Sequence, residues 1–243
     1  MTTCQTGLKT DLHLHTCDGP QEPYIGYNAL QLIDAAAEQG YEVLSITNHD
    51  TVTFSDYLKD YAAERGILLI PGIELTVRQK HVLGYRIDGK LGPIHDVGDI
   101  HKEKDEDTLF IAPHPFFPHS ASLGKLFLRQ PTLFDAVELS HFYTSLVDFN
   151  TKARSIAHDH DLPLVGTSDS HSLSQLGTTY SIIRAEKDPE SIFRAVKQGR
   201  LDIVTQPLSH IQAGLISHEL FFSHSVKKIG MCCLYLLSLL LRN

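Results

Sequence analysis

"DLHLHTCDG", residues 11–19, decides how this chain is read. As an extended strand it turns Asp11, His13 and His15 to one side and Leu12 and Leu14 to the other, because side chains alternate with a period of two. A strand with leucines on one face belongs in a core, so the two imidazoles at its end need a reason. Further β-branched and Leu-rich runs follow: "VLSITN" (43–48), "ILLIPGIEL" (67–75), "LFIAPHP" (109–115), "AVELSH" (136–141), "LPLVGTSD" (162–169) and "TYSIIRA" (179–185). "HVLGYRIDG" (81–89) reads as a side strand after the third run.

Helical patterns separate these runs. Tyr27 to Gly40 carries Leu30, Ile33 and Ala37 at helical spacing and ends on a glycine suited to the position after a helix. Residues 54–66 repeat the form, with Ser55 as N-cap and Gly66 as the stop, and 146–163 and 189–199 behave likewise. Strand and helix in alternation predict a parallel α/β architecture, and about seven units argue for a closed or nearly closed barrel over residues 1–205. The charge run "HKEKDEDT" (101–108) reads as a solvated loop or helix start. Residues 206–243 read as a helical extension. Its apolar run Ile229–Leu241 is either a terminal helix docked on the barrel or a weak membrane contact with Lys227, Lys228 and Arg242 at the headgroups.

Composition narrows the function classes. The 243 residues carry a formal net charge of −8, which argues against broad adhesion to double-stranded nucleic acid or anionic lipid. The cysteines Cys4, Cys17, Cys232 and Cys233 form no spaced framework and no secretory signal opens the chain, so the expectation is cytoplasmic. Oligomeric state is not legible. Histidine stands out, at 15 residues.

The placement of the polar residues carries the signal. His13 and His15 end the first run, His49 follows the second, Glu74 closes the third and His81 opens the side strand. His114 ends the fourth run, while Asp169 and His171 end the sixth. In a parallel barrel all those ends face one mouth, where active sites of such folds lie. Crowding that many titratable groups is unfavourable unless divalent cations turn them into a coordination shell. The remaining histidines read as solvated or packed groups. His141 is the exception, because it ends the fifth run near Glu138.

Taken together, "DLHLH", "TNHD", "GIE", "HVLG", "HP" and "SDSH", in that order across residues 11–177, resemble the PHP (polymerase and histidinol phosphatase) family. The resemblance implies a distorted (β/α)7, TIM-like barrel with a two- or three-metal centre, and donors of this kind suit zinc, manganese and iron alike. A first ion would use His13, His15, Glu74 and Asp169, and Glu74 would bridge to a second held by His81 and His114. A third would use His49, His171 and an acidic or histidine side chain after the HxH pair. Asp18 is the candidate, although it follows His15 by three residues where the family often spaces that ligand by five. Asn48 also stands where an aspartate is common.

The resemblance further implies hydrolysis of a phosphate ester by a hydroxide bridging the ions, with Glu74, Asp169 and His171 as the catalytic group. The expected substrate is small, a nucleotide or phosphorylated metabolite. Lys125, His119 and Tyr143 are candidates for binding it. A nuclease acting on oligonucleotide ends and a non-catalytic metal-binding regulatory module are the alternatives.

Overall fold

The first strand carries more of the fold than its length suggests, because both of its edges and both of its faces are covered. The computed structural model describes residues 7–209, 211–214 and 216. Its strands are β1 (Leu8–Leu14), β2 (Val43–Ile46), β3 (Leu68–Leu69), β4 (Gly72–Val77), β5 (Lys80–Arg86), β6 (Thr108–Ala112), β7 (Ala136–Ser140), β8 (Leu164–Thr167), β9 (Thr179–Ile183) and β10 (Leu201–Thr205). The helices are α1 (Ala29–Glu38), α2 (Asp56–Glu64), α3 (Ile100–Glu103), α4 (Lys125–Arg129), α5 (Asn150–Asp159) and α6 (Pro189–Lys197). Local chemistry sets the helix starts. Asn28 and Gln31 form a capping box on α1, Ser55 accepts from Leu58 N at α2, and Asp188 caps α6 with Pro189 in its first turn. Gly40 follows α1 at φ 75°, a conformation that a side chain resists.

The strands form two five-stranded sheets, ordered β10-β9-β1-β2-β3 and β4-β5-β6-β7-β8. The expected distorted (β/α)7, TIM-like barrel is met only in part: the fold is mixed α/β, and the described strands form two sheets of mixed direction, not one closed barrel. The run at 67–75 is not one strand. It breaks at Pro71, which has no N–H to donate, so β3 stays beside β2 while β4 starts the second sheet. "HVLGYR" is no side strand either. As β5 it lies between β4 and β6, antiparallel to both, joined to β4 by a two-residue turn with Arg78 and Gln79 at positive φ. The seventh run, β9, runs antiparallel to β1, and β10, absent from the sequence reading, extends that edge.

Where the sheets meet, single bridges and side chains replace a continuous ladder. Leu14 pairs with Ser170 and His49 with Glu74 as isolated bridges. The Ser181 hydroxyl donates to Gly166 O and accepts from Gly166 N. The Asp11 carboxylate accepts from Ser168 N and from His13 N, tying the end of β8 to β1.

Apolar residues at the strand starts, among them Leu8, Leu12, Val43, Leu109, Ala136 and Val165, pack with Phe193 of α6 into one buried cluster. The strand ends are left to the polar residues. The strict alternation expected along β1 also fails. Its register with β2 slips between Asp11 and Leu14, as a bulge does, so Leu12 joins that inner cluster while Leu14 packs outward with α1.

The apolar run Ile229–Leu241 and its flanking Lys227, Lys228 and Arg242 lie outside the described residues. Among those described, no helix is long and apolar enough to cross a membrane.

Candidate metal centre

Strand ends and the loops just beyond them, along with the interior of β4 and the start of β5, bring His13, His15, His49, Glu74, His81, His114, Asp169 and His171 together. His114 and Asp169 hold the left-handed region, at φ 27° and 46°, a strain typical of sites where side-chain aim outranks backbone comfort. Glu74 lies at the middle and is 1% exposed. Its Oε1 faces His81 Nδ1 at 2.9 Å and His114 Nε2 at 3.3 Å. Its Oε2 faces His13 Nε2, His15 Nε2 and His49 Nδ1 at 3.4, 3.3 and 3.2 Å. Asp169 Oδ1 stands 3.3 Å from both His13 Nε2 and His15 Nε2.

Three rings are held from behind. His13 Nδ1 is 2.8 Å from Glu138 Oε1, His15 Nδ1 bonds Glu22 Oε1, and His171 Nδ1 lies 3.0 Å from the Asp169 carbonyl oxygen. Such partners set the tautomer and leave Nε2 with its lone pair facing inward. Glu138 is itself fully buried. It also accepts from Thr167 Oγ1 and His114 N, so one carboxylate orients two of the histidine positions.

The nitrogens His13 Nε2, His15 Nε2, His49 Nδ1 and His81 Nδ1 are buried and make no well-aligned hydrogen bond among the described residues; what they face are the Glu74 oxygens. Unpaired buried polar atoms are rare and costly, and several converging on shared carboxylates is the pattern a cation would complete. Four groups of ligand atoms lie within 4.8 Å of one another: His13–His15–Glu74, His13–His114–Asp169, His49–Glu74–His81 and His15–His49–His171. The donors are imidazole and carboxylate, which suits divalent ions.

The protonation pattern agrees. Burial alone would strip the proton from His13 and His15, but the carboxylates of Asp169, Glu138, Glu22 and Glu74 reverse this and hold both rings well above the usual range. Burial would likewise raise Glu74 and Asp169, and the surrounding imidazoles instead keep both well below the usual carboxylate range. His49 and His171 have less anionic company, and burial pushes each down to about 4. Protons occupy the role that cations would take.

Asp18 is a correction. It sits exposed, and its Oδ2 accepts from Ala29 N at 2.7 Å, so it braces the start of α1 outside the cluster. The buried acid of that loop is Glu22, seven residues after His15, which bonds His15 Nδ1 and also accepts from His49 N. Gly19 makes room for it, since a Cβ there would meet Glu22 Oε2 at 2.1 Å and Asn48 at 2.9 Å. Asn48 does not touch the His49 ring. It bonds Thr16 and Thr53 and so fastens the loops after β1 and β2.

The substrate candidates scatter. Lys125 is exposed at the start of α4. His119 stands beside the cluster, its ring centre 6.4 Å from that of His81. Tyr143 is tied by its hydroxyl to Thr205 and lines an apolar cavity with Phe142, Leu146 and Phe149.

Residues 148–201, from just before α5 to the start of β10, match the PHP-associated family model. That match agrees with the resemblance of the strand-end motifs to the PHP family. An uncharacterized protein of Methanocaldococcus jannaschii is 27% identical over 48% of this chain and 73% of its own. A 5'-3' exoribonuclease of Haemophilus influenzae is 35% identical over 33% of this chain, which spans only 29% of that enzyme's length. The solved structure of PsfC from Pseudomonas syringae PB-5123 aligns over 91% of this chain and 99% of its own with a TM-score of 0.62 at 13% identity, a likeness of fold alone. The residues that carry the PHP resemblance run from His13 to His171 along the chain, yet they form one cluster.

Proposed function

We propose that this protein is a metal-dependent phosphoesterase acting on a small phosphorylated substrate, a nucleotide or phosphorylated metabolite. One observation carries the reading: the two oxygens of Glu74 turn to different imidazole sets, Oε1 to His81 and His114, Oε2 to His13, His15 and His49. Glu74 would thus bridge two divalent ions, one completed by His13, His15 and Asp169, the other by His81 and His114. His49 and His171, with His15, would hold a third. Zinc, manganese and iron all suit such donors.

When bound, the ions neutralise phosphate charge and make a water nucleophilic near neutral pH. The chain's own part is preparation. Glu138 and Glu22 keep the Nδ1 protons of His13 and His15, so their Nε2 atoms are offered inward as lone pairs. Buried carboxylates and rings exclude bulk water, which strengthens every charge interaction within. Asp169 and His171 face the reacting position from β8.

The segment shared with the exoribonuclease supports a second reading, a nuclease acting on oligonucleotide ends. The net charge of −8 favours the small substrate. The full chain, loaded in turn with manganese, zinc and iron, is to be assayed on an aryl phosphate, nucleoside monophosphates and a 5'-phosphorylated oligonucleotide. Phosphate release from the small esters, abolished by chelation, is the expected result. Shortening of the oligonucleotide with inert mononucleotides would favour the nuclease, and full metal loading without turnover a regulatory module.

A further inference from the structure

Among the buried groups that this chemistry leaves unused, His141 is the one whose proton can be placed. It directly follows β7 and is 3% exposed. Its Nε2 lies 3.0 Å from Gln175 Nε2. The other end of that amide fixes its orientation, because Gln175 Oε1 accepts from His171 N at 2.9 Å and Ser172 N at 2.8 Å. With the oxygen engaged by two backbone donors, the NH2 group faces His141, and an amide nitrogen only donates. His141 Nε2 is therefore the acceptor, and the ring proton sits on Nδ1. Burial also disfavours the charged ring and keeps it neutral.

Nδ1 is buried and has no hydrogen-bond partner among the described residues. A donor left so is paired when something else enters the site. Gln175 joins this ring directly to the backbone of His171, so His141 borders the metal centre. It is not a ligand. Nδ1 would need a lone pair for that, and Gln175 would have to present an oxygen that is already engaged.

We propose that the His141 Nδ1–H group donates a hydrogen bond to a non-bridging phosphoryl oxygen of the substrate, making His141 a catalytic residue and Gln175 the positioning residue that keeps it a donor. The substrate role rests on the phosphoesterase reading, whereas the tautomer does not.

Two measurements on the full chain test this. In nitrogen-15 spectra of the zinc-loaded protein, with the His141 ring assigned by its loss in His141→Asn, Nδ1 should be the protonated nitrogen. Gln175→Glu should move that proton to Nε2, since a carboxylate there accepts where the amide donated. Binding of inorganic phosphate to the metal-loaded protein should weaken about tenfold or more in His141→Phe and Gln175→Glu, the value of one hydrogen bond to a charged group. His141→Asn should stay within about threefold of wild type, because its amide nitrogen reaches the position of Nδ1.

A bare Nδ1 in the wild-type spectrum would overturn the tautomer. Unchanged phosphate affinity in a fully metallated His141→Phe would overturn the substrate role, as would equal losses in all three variants accompanied by lost metal. If the wild type itself neither binds phosphate nor cleaves any ester while the spectrum is as expected, the phosphoesterase reading fails and takes the substrate role with it.

Discussion

Two buried regions of this molecule differ in what compensates their burial. In the apolar cluster, Leu12, Leu83, Tyr85, Leu109 and Phe193 are removed from water among apolar neighbours, and the one polar group of note, the Tyr85 hydroxyl, donates to Leu12 O at 2.6 Å. That region gains free energy by the act of burial. At the strand ends, His13, His15 and Glu74 are just as buried, but each pays desolvation and recovers it only through opposite charge. The first region needs nothing from outside. The second changes with what cation is available.

That contrast can be broken most sharply at Glu74. Glu74→Ala is expected to lower metal-dependent turnover by about 10³-fold or more, beyond the 10–100-fold typical of an outer-shell partner, and to reduce the metal count per chain. Elemental analysis alongside the assay checks it, and normal values for both would end the bridging role. Phe193→Ala, in the apolar region, should instead cost about 3–5 kcal/mol of stability in urea unfolding, by the same amount with and without added metal.

The pH response separates the regions next. In metal-free protein His49 and His171 refuse protons until about 4, while the unfolded chain takes them near 6.5. The unfolded state therefore binds more protons between those values, and stability falls as pH drops through that window. His13 and His15 act oppositely. Held well above 6.5, they contribute stability that is full below that value and lost as pH rises through their folded range. The Tm of chelated protein should peak near pH 6.5. Bound metal should remove the decline on the alkaline side, because ions then replace those protons. Identical profiles with and without metal would show that the cluster holds no ion.

Smallest is the pair in the loop after β1. Glu22→Gln is expected to weaken metal binding about 10–100-fold by releasing the His15 ring. Asp18→Ala should leave metal binding untouched and cost no more than the ~1 kcal/mol of a helix cap. The reverse result in a metal titration would restore Asp18 as the ligand.

Those two residues show how far the sequence could be read. Most strands and the helix cap at Ser55 follow from periodicity and from residues within one turn, so they were legible. So was the set of polar strand ends, because position along a strand is local information. Glu22 was not: it lies in an irregular loop beyond Pro20, and only the tight approach at Gly19 turns it inward. Glu138 was visible as a residue that could reach the mouth. Its grip on His13, however, joins positions 125 residues apart. The barrel expectation was met only in part for a similar reason. A run such as "ILLIPGIEL" states that it is extended and apolar, but not which sheet each half joins.

By itself the sequence determined the kinds of side chain and the strand ends that carry them, because alternation and capping act over a few residues. Only the tertiary structure decided that Glu74 faces two imidazole sets, that Glu22 rather than Asp18 lies inside, and where the His141 proton resides. Those outcomes depend on loop closure and on which buried atoms find partners, and both are properties of groups brought together from distant parts of the chain.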